Sequence, residues 1–211
     1  CVSREVRDLP ADFGLIQVND TLQALQQLAA RVLAESQLRV VGITGSIGKT
    51  STKELTARLL SARFSVLRSM GNYNNQIGLP ISILSLNDSH QIAVLEMGMN
   101  HPGEIKRLVE IAPPEVAVIT RIAPVHLEFF QTLEEIALAK KEILAGAKPG
   151  ASAVLNGDDP LIRQIAADFP PDKIIYFGKG DRYLIRAEDI EYHGWSGLSF
   201  GLIYGQEKAR V

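Results

Sequence analysis

The most informative segment of the sequence is Val40-Val41-Gly42-Ile43-Thr44-Gly45-Ser46-Ile47-Gly48-Lys49-Thr50-Ser51. It begins as an apolar strand, continues as a glycine-rich turn and then opens a helix. Glycines allow backbone N–H groups to point inward around phosphate oxygens, and the helix N-terminus adds a partial positive charge. Lys49 is expected to reach the β- and γ-phosphates, and the Thr50 hydroxyl is expected to bind Mg²⁺. The turn from Thr44 to Ser51 is therefore predicted to bind ATP.

Short apolar strands and helices alternate outward from this turn. Strands are predicted at residues 38–43, 65–67, 92–97, 116–120, 153–155 and 174–177. Helices are predicted at residues 49–62, 80–86, 102–111, 133–145 and 160–167. Apolar strands separated by helices indicate a parallel sheet that is covered on both faces. We therefore expect an α/β fold, with a mostly parallel P-loop sheet and helices on both faces. Residues 183–205 show only short antiparallel strands without helices between them, which predicts a small antiparallel β segment near the C-terminus.

A different segment, residues 1–36, precedes the alternation. Residues 14–18 are predicted to form a strand. Apolar residues then recur at helical spacing over residues 22–32, which predicts a helix capped by one of residues 19–21. This segment is typical of a linker helix or of the end of a preceding domain.

Composition and charge exclude several classes of protein. The 211 residues are 46% hydrophobic and 22% charged, which is typical of a globular domain and excludes a disordered chain. Lys and Arg number 22 against 24 Asp and Glu, so no basic surface for nucleic acid is expected. The single cysteine, Cys1, excludes a disulfide framework. No apolar run reaches about 18 residues, so no membrane span is predicted.

The phosphate-binding turn departs from the usual P-loop pattern. That pattern places a glycine five residues before Gly48, but Ile43 stands there and the nearer Gly45 replaces it. The shortened form Thr-Gly-Ser-x-Gly-Lys-Thr-Ser resembles the Mur ligases, the ATP-dependent amide-forming enzymes of peptidoglycan synthesis. The following Thr52-Lys53-Glu54 is similar to the branch that joins D-alanyl-D-alanine to UDP-N-acetylmuramoyl-tripeptide. The resemblance runs in order from about residue 14 to the end of the chain.

This resemblance implies a domain organisation and a reaction. Residues 1–36 would be a remnant of an N-terminal substrate domain with its linker helix, and residues 37–211 would be the central ATP-binding domain, incomplete at its C-terminal end. The substrate carboxylate would attack the γ-phosphate of ATP, and the amine of D-alanyl-D-alanine would displace phosphate from the acyl phosphate. The family implies a cytoplasmic bacterial enzyme that is a monomer. We expect the chain to bind Mg-ATP weakly but not to ligate alone.

The resemblance also implies metal-binding and catalytic residues around two Mg²⁺ ions. Glu96, near the end of its strand, would bind Mg²⁺ together with Thr50, and a carboxylate suits this cation. His126 would have a catalytic, Mg²⁺-associated role, although imidazole is not a favoured ligand for Mg²⁺. Lys140 corresponds to a lysine whose reaction with CO₂ gives a carbamate close to the metal, and the adjacent Lys141 would face solvent. Lys49 would neutralise the phosphates.

Amide side chains are predicted to contact the substrates. Asn74 and Asn75 lie in a loop that resembles the substrate-side loop of the family, and amides both donate and accept hydrogen bonds. Asn156 follows a strand and is assigned a role near the nucleotide. Asp159 is predicted to cap the next helix. Trp195 is predicted to pack against its neighbours rather than to stack on a base.

Three alternatives remain open at this point. Another Mur-like ligase, either tripeptide-forming or cyanophycin-type, would share the nucleotide site, but Ser46 and residues 52–54 favour the branch that adds D-alanyl-D-alanine. A non-catalytic nucleotide-binding module would bind ATP but would lack a carbamate on Lys140. A mature lipoprotein would carry lipid on Cys1.

Overall fold

The computed structural model describes residues 1–4, 14–125 and 127–211. Within these ranges nine strands form one sheet: β1 (Arg39–Thr44), β2 (Val66–Arg68), β3 (Ile92–Glu96), β4 (Val116–Ile119), β5 (Ser152–Asn156), β6 (Ile174–Gly178), β7 (Ile185–Tyr192), β8 (Leu198–Tyr204) and β9 (Glu207–Arg210). Six α-helices lie in the same ranges: α1 (Thr21–Ser36), α2 (Lys49–Leu60), α3 (Gly78–Ile83), α4 (Glu104–Ile111), α5 (Leu133–Ala145) and α6 (Pro160–Ile165). None of these helices has the length and apolarity that crossing a membrane requires.

The order of the strands shows where a ligand would bind. It is β2-β3-β1-β4-β5-β6-β7-β8-β9. Neighbours run parallel from β2 to β7, and the pairs β7–β8 and β8–β9 are antiparallel. The connection that leaves β1 leads towards β2 at the edge, whereas the connection that leaves β3 crosses to β4 on the other side of β1, so the direction of the chain across the sheet reverses between β3 and β1. Sheets of this kind bind ligands at the carboxyl ends of the strands beside such a reversal, and the predicted phosphate-binding turn follows β1.

Helices cover the two faces of the sheet unequally. α2 packs on one face, in a cluster that contains Ile43, Val94 and Ala57. The other five helices contribute to the core on the opposite face, where Ala93 and Leu95 of β3 are fully buried. A strand that is buried on both faces has a nearly continuous run of apolar residues, as β3 has before Glu96, and burying each large one contributes about 1.5–3 kcal/mol. The predicted parallel sheet with helices on both faces is confirmed.

Some predicted boundaries shift for local reasons. The helix predicted at residues 102–111 begins at Glu104, because Gly103 takes a left-handed conformation with φ of 82° and interrupts the first turn. The helix predicted at residues 80–86 lies earlier, at Gly78–Ile83. The antiparallel strands predicted within residues 183–205 are β7 and β8, and β7 additionally pairs with β6 in parallel.

Two local predictions are wrong. Residues 14–18 do not form a strand, because Gln17 makes only an isolated parallel bridge with Val2. Trp195 does not pack but is fully exposed, in the turn that joins β7 to β8. Gly194 and Gly197 have φ of 59° and 102°, and this tight turn carries the indole away from the sheet.

Side-chain caps fix the starts of α1, α5 and α6, and those of α1 and α6 were predicted from the sequence. Asp20 accepts hydrogen bonds from the N–H groups that open α1 and is the capping residue among positions 19–21. Thr132 Oγ1 accepts from Glu135 N at 3.2 Å. Asp159 caps α6, with its Oδ1 3.0 Å from Leu161 N. Its Oδ2 accepts from Ile122 N at 2.8 Å, so this carboxylate joins α6 to the segment after β4.

Asp159→Ala is expected to lower the free energy of unfolding by about 1–3 kcal/mol, because it removes a helix cap and leaves the Ile122 N–H without its acceptor. Asp159→Asn keeps one acceptor oxygen and is expected to lose less. Urea denaturation followed by circular dichroism measures both variants. An Asp159→Ala variant as stable as the parent would contradict this account.

Candidate nucleotide and metal site

The turn between β1 and α2 is held from outside by the segment that follows β4. Ser46 N donates to Arg121 O at 2.7 Å, and Ser46 Oγ donates to Ala123 O at 3.0 Å. Thr120 Oγ1 donates to Ile47 O at 2.6 Å. The first N–H groups of any α-helix lack partners within the helix, so those of α2 can be offered to an anion. The turn is thus preformed for phosphate.

Glycine is required at Gly45 and not at Ile43. Gly45 has φ of 149°, and a Cβ built there would lie 2.0 Å from Thr120 Oγ1. Ile43 is fully buried in the sheet, where a glycine would leave its packing neighbours without contact. Gly48, at the N-cap of α2, has φ of 85°. The shortened pattern therefore moves the first glycine from the strand into the turn.

Lys49 lies folded over its own turn. Its Nζ donates to Gly45 O at 2.8 Å and to Ser46 O at 3.3 Å. Burial lowers the pKa of Lys49, while the carboxylate of Glu96 acts in the opposite direction. Phosphate oxygens would give this ammonium stronger, charge-assisted hydrogen bonds than the two carbonyls do.

Glu96, at the end of β3, is held by donors from two other elements. Its side chain is almost completely buried, at 1% exposure. Thr50 Oγ1 of α2 donates to Glu96 Oε2 at 2.9 Å, and Asn74 Nδ2 donates to Glu96 Oε1 at 2.8 Å. A carboxylate next to a hydroxyl at the mouth of a phosphate-binding turn is a donor set that suits Mg²⁺. The structure brings together three residues that the sequence placed in separate motifs.

The two adjacent lysines of α5 have different surroundings. Lys140 is 2% exposed, and burial, together with the charge of Lys49, lowers its pKa to about 7. Lys141 points to the surface, where its Nζ lies 2.5 Å from the exposed Asp168 carboxylate. Lys140, which points inward, is therefore the lysine that the family resemblance selected.

Thr44 carries a buried hydroxyl without a partner. Its Oγ1 makes no hydrogen bond with any described residue, and the side chain is fully buried. Side chains two residues apart on a strand point to the same face. A Cβ at Gly42 would touch Ile143 of α5, so Thr44 also points to the face that α5 covers. A polar group brought to this side of the site would satisfy the hydroxyl.

The two asparagines that were predicted to contact a substrate have separate structural roles. Asn74 holds Glu96, whereas Asn75 Oδ1 accepts from Ile77 N and Gly78 N and organises the start of α3. A cavity of about 300 Å³ lies beside both. Its lining is Asn74, Asn75, Gln76, Ile77, Gly98, Met99, Asn100, Glu104 and Leu108.

Asn156 borders a second cavity, of about 500 Å³, on the other side of the phosphate-binding turn. Its Nδ2 donates to Thr120 O at 2.9 Å, and its Oδ1 accepts from Asp158 N at 3.0 Å. Arg121 and Lys179 line the same cavity. The Asn156 amide thus stabilises Thr120, the residue after β4 whose hydroxyl donates to the phosphate-binding turn. The predicted contact of Asn156 with the nucleotide stays a prediction.

His126 lies outside the described residues, so its predicted metal-associated role stays a prediction. Among the residues that are described, no group of three or more His, Cys, Asp and Glu could hold a metal ion. Thr50 and Glu96 would therefore supply few protein ligands. Mg²⁺ is usually bound in this way, by one or two carboxylates and the phosphates of a substrate.

Sequence reasoning missed two residues of the site. Thr120, directly after β4, holds the turn through Ile47, and its position at the carboxyl end of the neighbouring strand was the available signal. Lys53 is fully buried although it is charged. Its spacing of four from both Lys49 and Ala57 places it on the sheet-facing side of α2, and that spacing could have revealed its burial.

The fold and this site define a P-loop nucleotide-binding α/β domain. The model of the Mur ligase middle domain matches residues 43–209. The chain therefore belongs to the Mur ligase family, as the resemblance in the sequence indicated.

Similar curated proteins are ligases of one branch of this family. The UDP-N-acetylmuramoyl-tripeptide–D-alanyl-D-alanine ligase of Bacillus subtilis is 44% identical over 160 residues, which cover 76% of this chain and 35% of that protein. The ligase of the same name from Escherichia coli is 42% identical over 153 residues, covering 72% of this chain and 34% of that protein. The chain thus spans about a third of the length of these relatives.

Solved structures of the same branch superimpose on almost the whole chain. MurF from Acinetobacter baumannii matches with a TM-score of 0.87 and 35% identity, covering 97% of this chain and 45% of that one. MurF ligase from Thermotoga maritima, in complex with ADP, matches with a TM-score of 0.84 and 35% identity, covering 97% and 47%. The likeness includes the antiparallel strands at the C-terminal end of the sheet.

Lys140→Met is expected to stabilise the chain most at neutral pH and less at alkaline pH. Burial lowers the pKa of Lys140 to about 7 in the folded chain, from an ordinary value of 10.5. Between these values the unfolded chain holds a proton that the folded chain lacks, so the parent gains stability as pH rises, by up to about 1.4 kcal/mol per pH unit. Below pH 7 the parent bears the full cost of burial.

Urea denaturation at pH 7, 8 and 9 in CO₂-free buffer measures the difference in stability between the variant and the parent. That difference should shrink as pH rises. Lys141→Met is the matched control, because the same change is made at the surface. A difference for Lys140→Met that does not vary with pH would contradict the effect of burial.

Proposed function

We propose that this chain is the nucleotide-binding core of a UDP-N-acetylmuramoyl-tripeptide–D-alanyl-D-alanine ligase. The observation that carries the proposal is the meeting of Thr50, Glu96 and Asn74 beside the phosphate-binding turn, with hydrogen bonds of 2.9 and 2.8 Å to the two carboxylate oxygens. Relatives at 34–44% identity bear this name. They favour this branch over the tripeptide-forming and cyanophycin-type ligases.

The proposed reaction needs two anions, a carboxylate and a triphosphate, to approach each other. Lys49 would replace its hydrogen bonds to the carbonyls of Gly45 and Ser46 with hydrogen bonds to phosphate oxygens. Its positive charge would then stabilise the negative charge on the phosphates in the transition state. The N–H groups at the start of α2 would orient the β-phosphate. Thr50 and Glu96 would hold Mg²⁺, which supplies charge neutralisation and an in-line orientation of the phosphates. The carboxylate would attack the γ-phosphate and release ADP. The amine would then attack the carbonyl carbon of the acyl phosphate, lose a proton and release inorganic phosphate.

The substrates would approach from the side of the 300 Å³ cavity. We propose that Asn74 and Asn75 border the UDP-muramoyl-tripeptide there, since amides can both donate to and accept from a peptide or a phosphate. D-Alanyl-D-alanine would be the second substrate of the complete ligase. For the 211 residues alone we propose Mg-ATP binding without ligation. We propose that the protein acts in the bacterial cytoplasm, where its two nucleotide substrates, ATP and the UDP-muramoyl-tripeptide, would be found. We also propose that it is a monomer.

Lys49→Ala is expected to weaken Mg-ATP binding at least tenfold. A hydrogen bond from a charged donor contributes about 1.5–3 kcal/mol, and about 1.4 kcal/mol corresponds to a factor of ten in affinity. Titration calorimetry measures both proteins. Lys106→Ala is the control, because Lys106 is an exposed lysine of α4 outside the nucleotide site. Equal affinities of the parent and Lys49→Ala would refute the assignment of the phosphate-binding turn.

We further propose that Lys140 carries a carbamate. The neutral amine would attack CO₂, form a C–N bond and release a proton, which turns a cation into an oxygen ligand for Mg²⁺. Burial supports this step, because it favours the neutral amine. The Thr44 hydroxyl, which has no partner among the described residues, lies on the face of β1 that α5 covers and supports it too, because it could donate a hydrogen bond to a carbamate oxygen. His126 would associate with the same metal.

The parent protein is expected to show a carbamate resonance when it is titrated with ¹³C-bicarbonate and followed by ¹³C NMR. With a pKa of about 7 for Lys140, the reactive neutral amine grows from about a tenth of the molecules at pH 6 to about nine tenths at pH 8. The resonance should therefore increase across this range.

Lys140→Arg should remove the resonance, and Lys141→Arg should retain it. A parent protein that shows no carbamate at pH 8, while still binding Mg-ATP, would favour the alternative of a non-catalytic nucleotide-binding module.

A further inference from the structure

Lys53 is a fully buried cation whose three donors are all used. Its Nζ donates to Ser69 O at 2.9 Å and to Gly71 O at 2.8 Å. The same atom lies 3.0 Å from Glu54 Oε1. An ammonium group has three N–H donors, so these contacts satisfy it completely. Glu54 is also paired with Arg68, the last residue of β2, at 2.6 Å.

The position of these contacts shows what the charge does. β2 is a three-residue strand at the edge of the sheet, and the chain leaves it at Ser69. No helix or strand follows until α3 begins at Gly78. Burying a charge in this place is costly, and an apolar side chain of similar length would fill the same space at lower cost. The charge therefore serves to fix the two carbonyls that begin this irregular segment, residues 69–76, named here the 69–76 loop.

The 69–76 loop in turn holds the end of β3. Ser69 Oγ accepts from Glu96 N at 3.1 Å, and Asn74 O accepts from Gly98 N at 2.8 Å. Asn74 Nδ2 donates to the Glu96 carboxylate at 2.8 Å. The backbone and the side chain of Glu96 are thus both fixed by a loop that Lys53 fastens to α2.

We propose that Lys53 is a positioning residue that couples the nucleotide-binding helix α2 to the 69–76 loop. Thr50 and Lys53 lie one helical turn apart on α2. Thr50 donates a hydrogen bond to Glu96 directly, whereas Lys53 binds the 69–76 loop, whose Asn74 donates to the other oxygen of Glu96. Phosphate and metal bound at the start of α2 would make Thr50 and its helical turn more rigid. Through Lys53 the 69–76 loop, which lines the 300 Å³ cavity, would become more rigid as well. This inference rests on the proposed nucleotide-binding function.

Hydrogen–deuterium exchange of the 211-residue chain with and without Mg-ADP tests the coupling. In the parent, Mg-ADP should slow exchange in the phosphate-binding turn and also in the 69–76 loop. In Lys53→Met, the turn should still be protected, but the gain in the loop should be lost, and exchange in the loop without nucleotide should be about tenfold faster. Arg58→Met is the matched control, because it makes the same kind of change at an exposed position of α2.

The outcomes separate this inference from the function on which it rests. A parent that does not bind Mg-ADP would overturn the proposed function, although faster exchange of the loop in Lys53→Met would still be expected. Binding accompanied by equal loop protection in the parent and Lys53→Met would overturn the coupling. Should Lys53→Met fail to fold, Ser69→Ala removes the acceptor for Glu96 N by a small change. Ser69→Ala leaves the bonds from Lys53 to the Ser69 and Gly71 carbonyls in place, so Mg-ADP should still protect the loop in this variant. Loss of that protection would show that the order reaches the loop through Glu96, and it would overturn the coupling through Lys53.

Discussion

The buried carboxylate of Glu96 joins the nucleotide-binding helix to the loop that follows β2. A carboxylate that is 1% exposed has lost its water and must be met by donors. One donor comes from Thr50 in the first turn of α2, and another comes from Asn74 in the loop after β2. Two elements that are distant in sequence are thereby held at one point, beside the reversal in strand order. The helix that follows the phosphate-binding turn and the loop that lines the 300 Å³ cavity therefore meet at this side chain.

The parts of the structure that could be predicted have local causes. Apolar strands, the glycine-rich turn and the capping residues each depend on a few neighbouring residues. The burial of Lys140 belongs to the same class, although it concerns a charged residue. Ile136, Lys140 and Ile143 recur at helical spacing and are all buried, so the apolar face of α5 already fixed which of the two lysines points inward. The resemblance to a family selected Lys140, and the helical spacing of the buried residues of α5 gives the same position independently.

The contacts that could not be predicted join distant residues. Asn74 and Glu96 are 22 positions apart, and Lys53 and Ser69 are 16 apart. An asparagine can organise a turn or bind a charged group, and the local sequence is the same in both cases. Asn75 does the first and Asn74 does the second. The exposure of Trp195 has a related cause, because burial depends on which surface a turn faces after the sheet is assembled.

The charges of the site connect its two lysines to the metal that we propose. Lys49 is close enough to Lys140 for its charge to lower the pKa of Lys140. With both lysines protonated, Glu96 leaves the site with a net positive charge that repels Mg²⁺. A neutral Lys140 removes that excess, and a carbamate on Lys140 reverses its sign. The carbamate and Mg²⁺ would therefore stabilise each other, while the phosphates of the nucleotide neutralise Lys49. Burial of Lys140 among apolar side chains is the first requirement, because formation of the carbamate and binding of Mg²⁺ both require the neutral amine that burial favours.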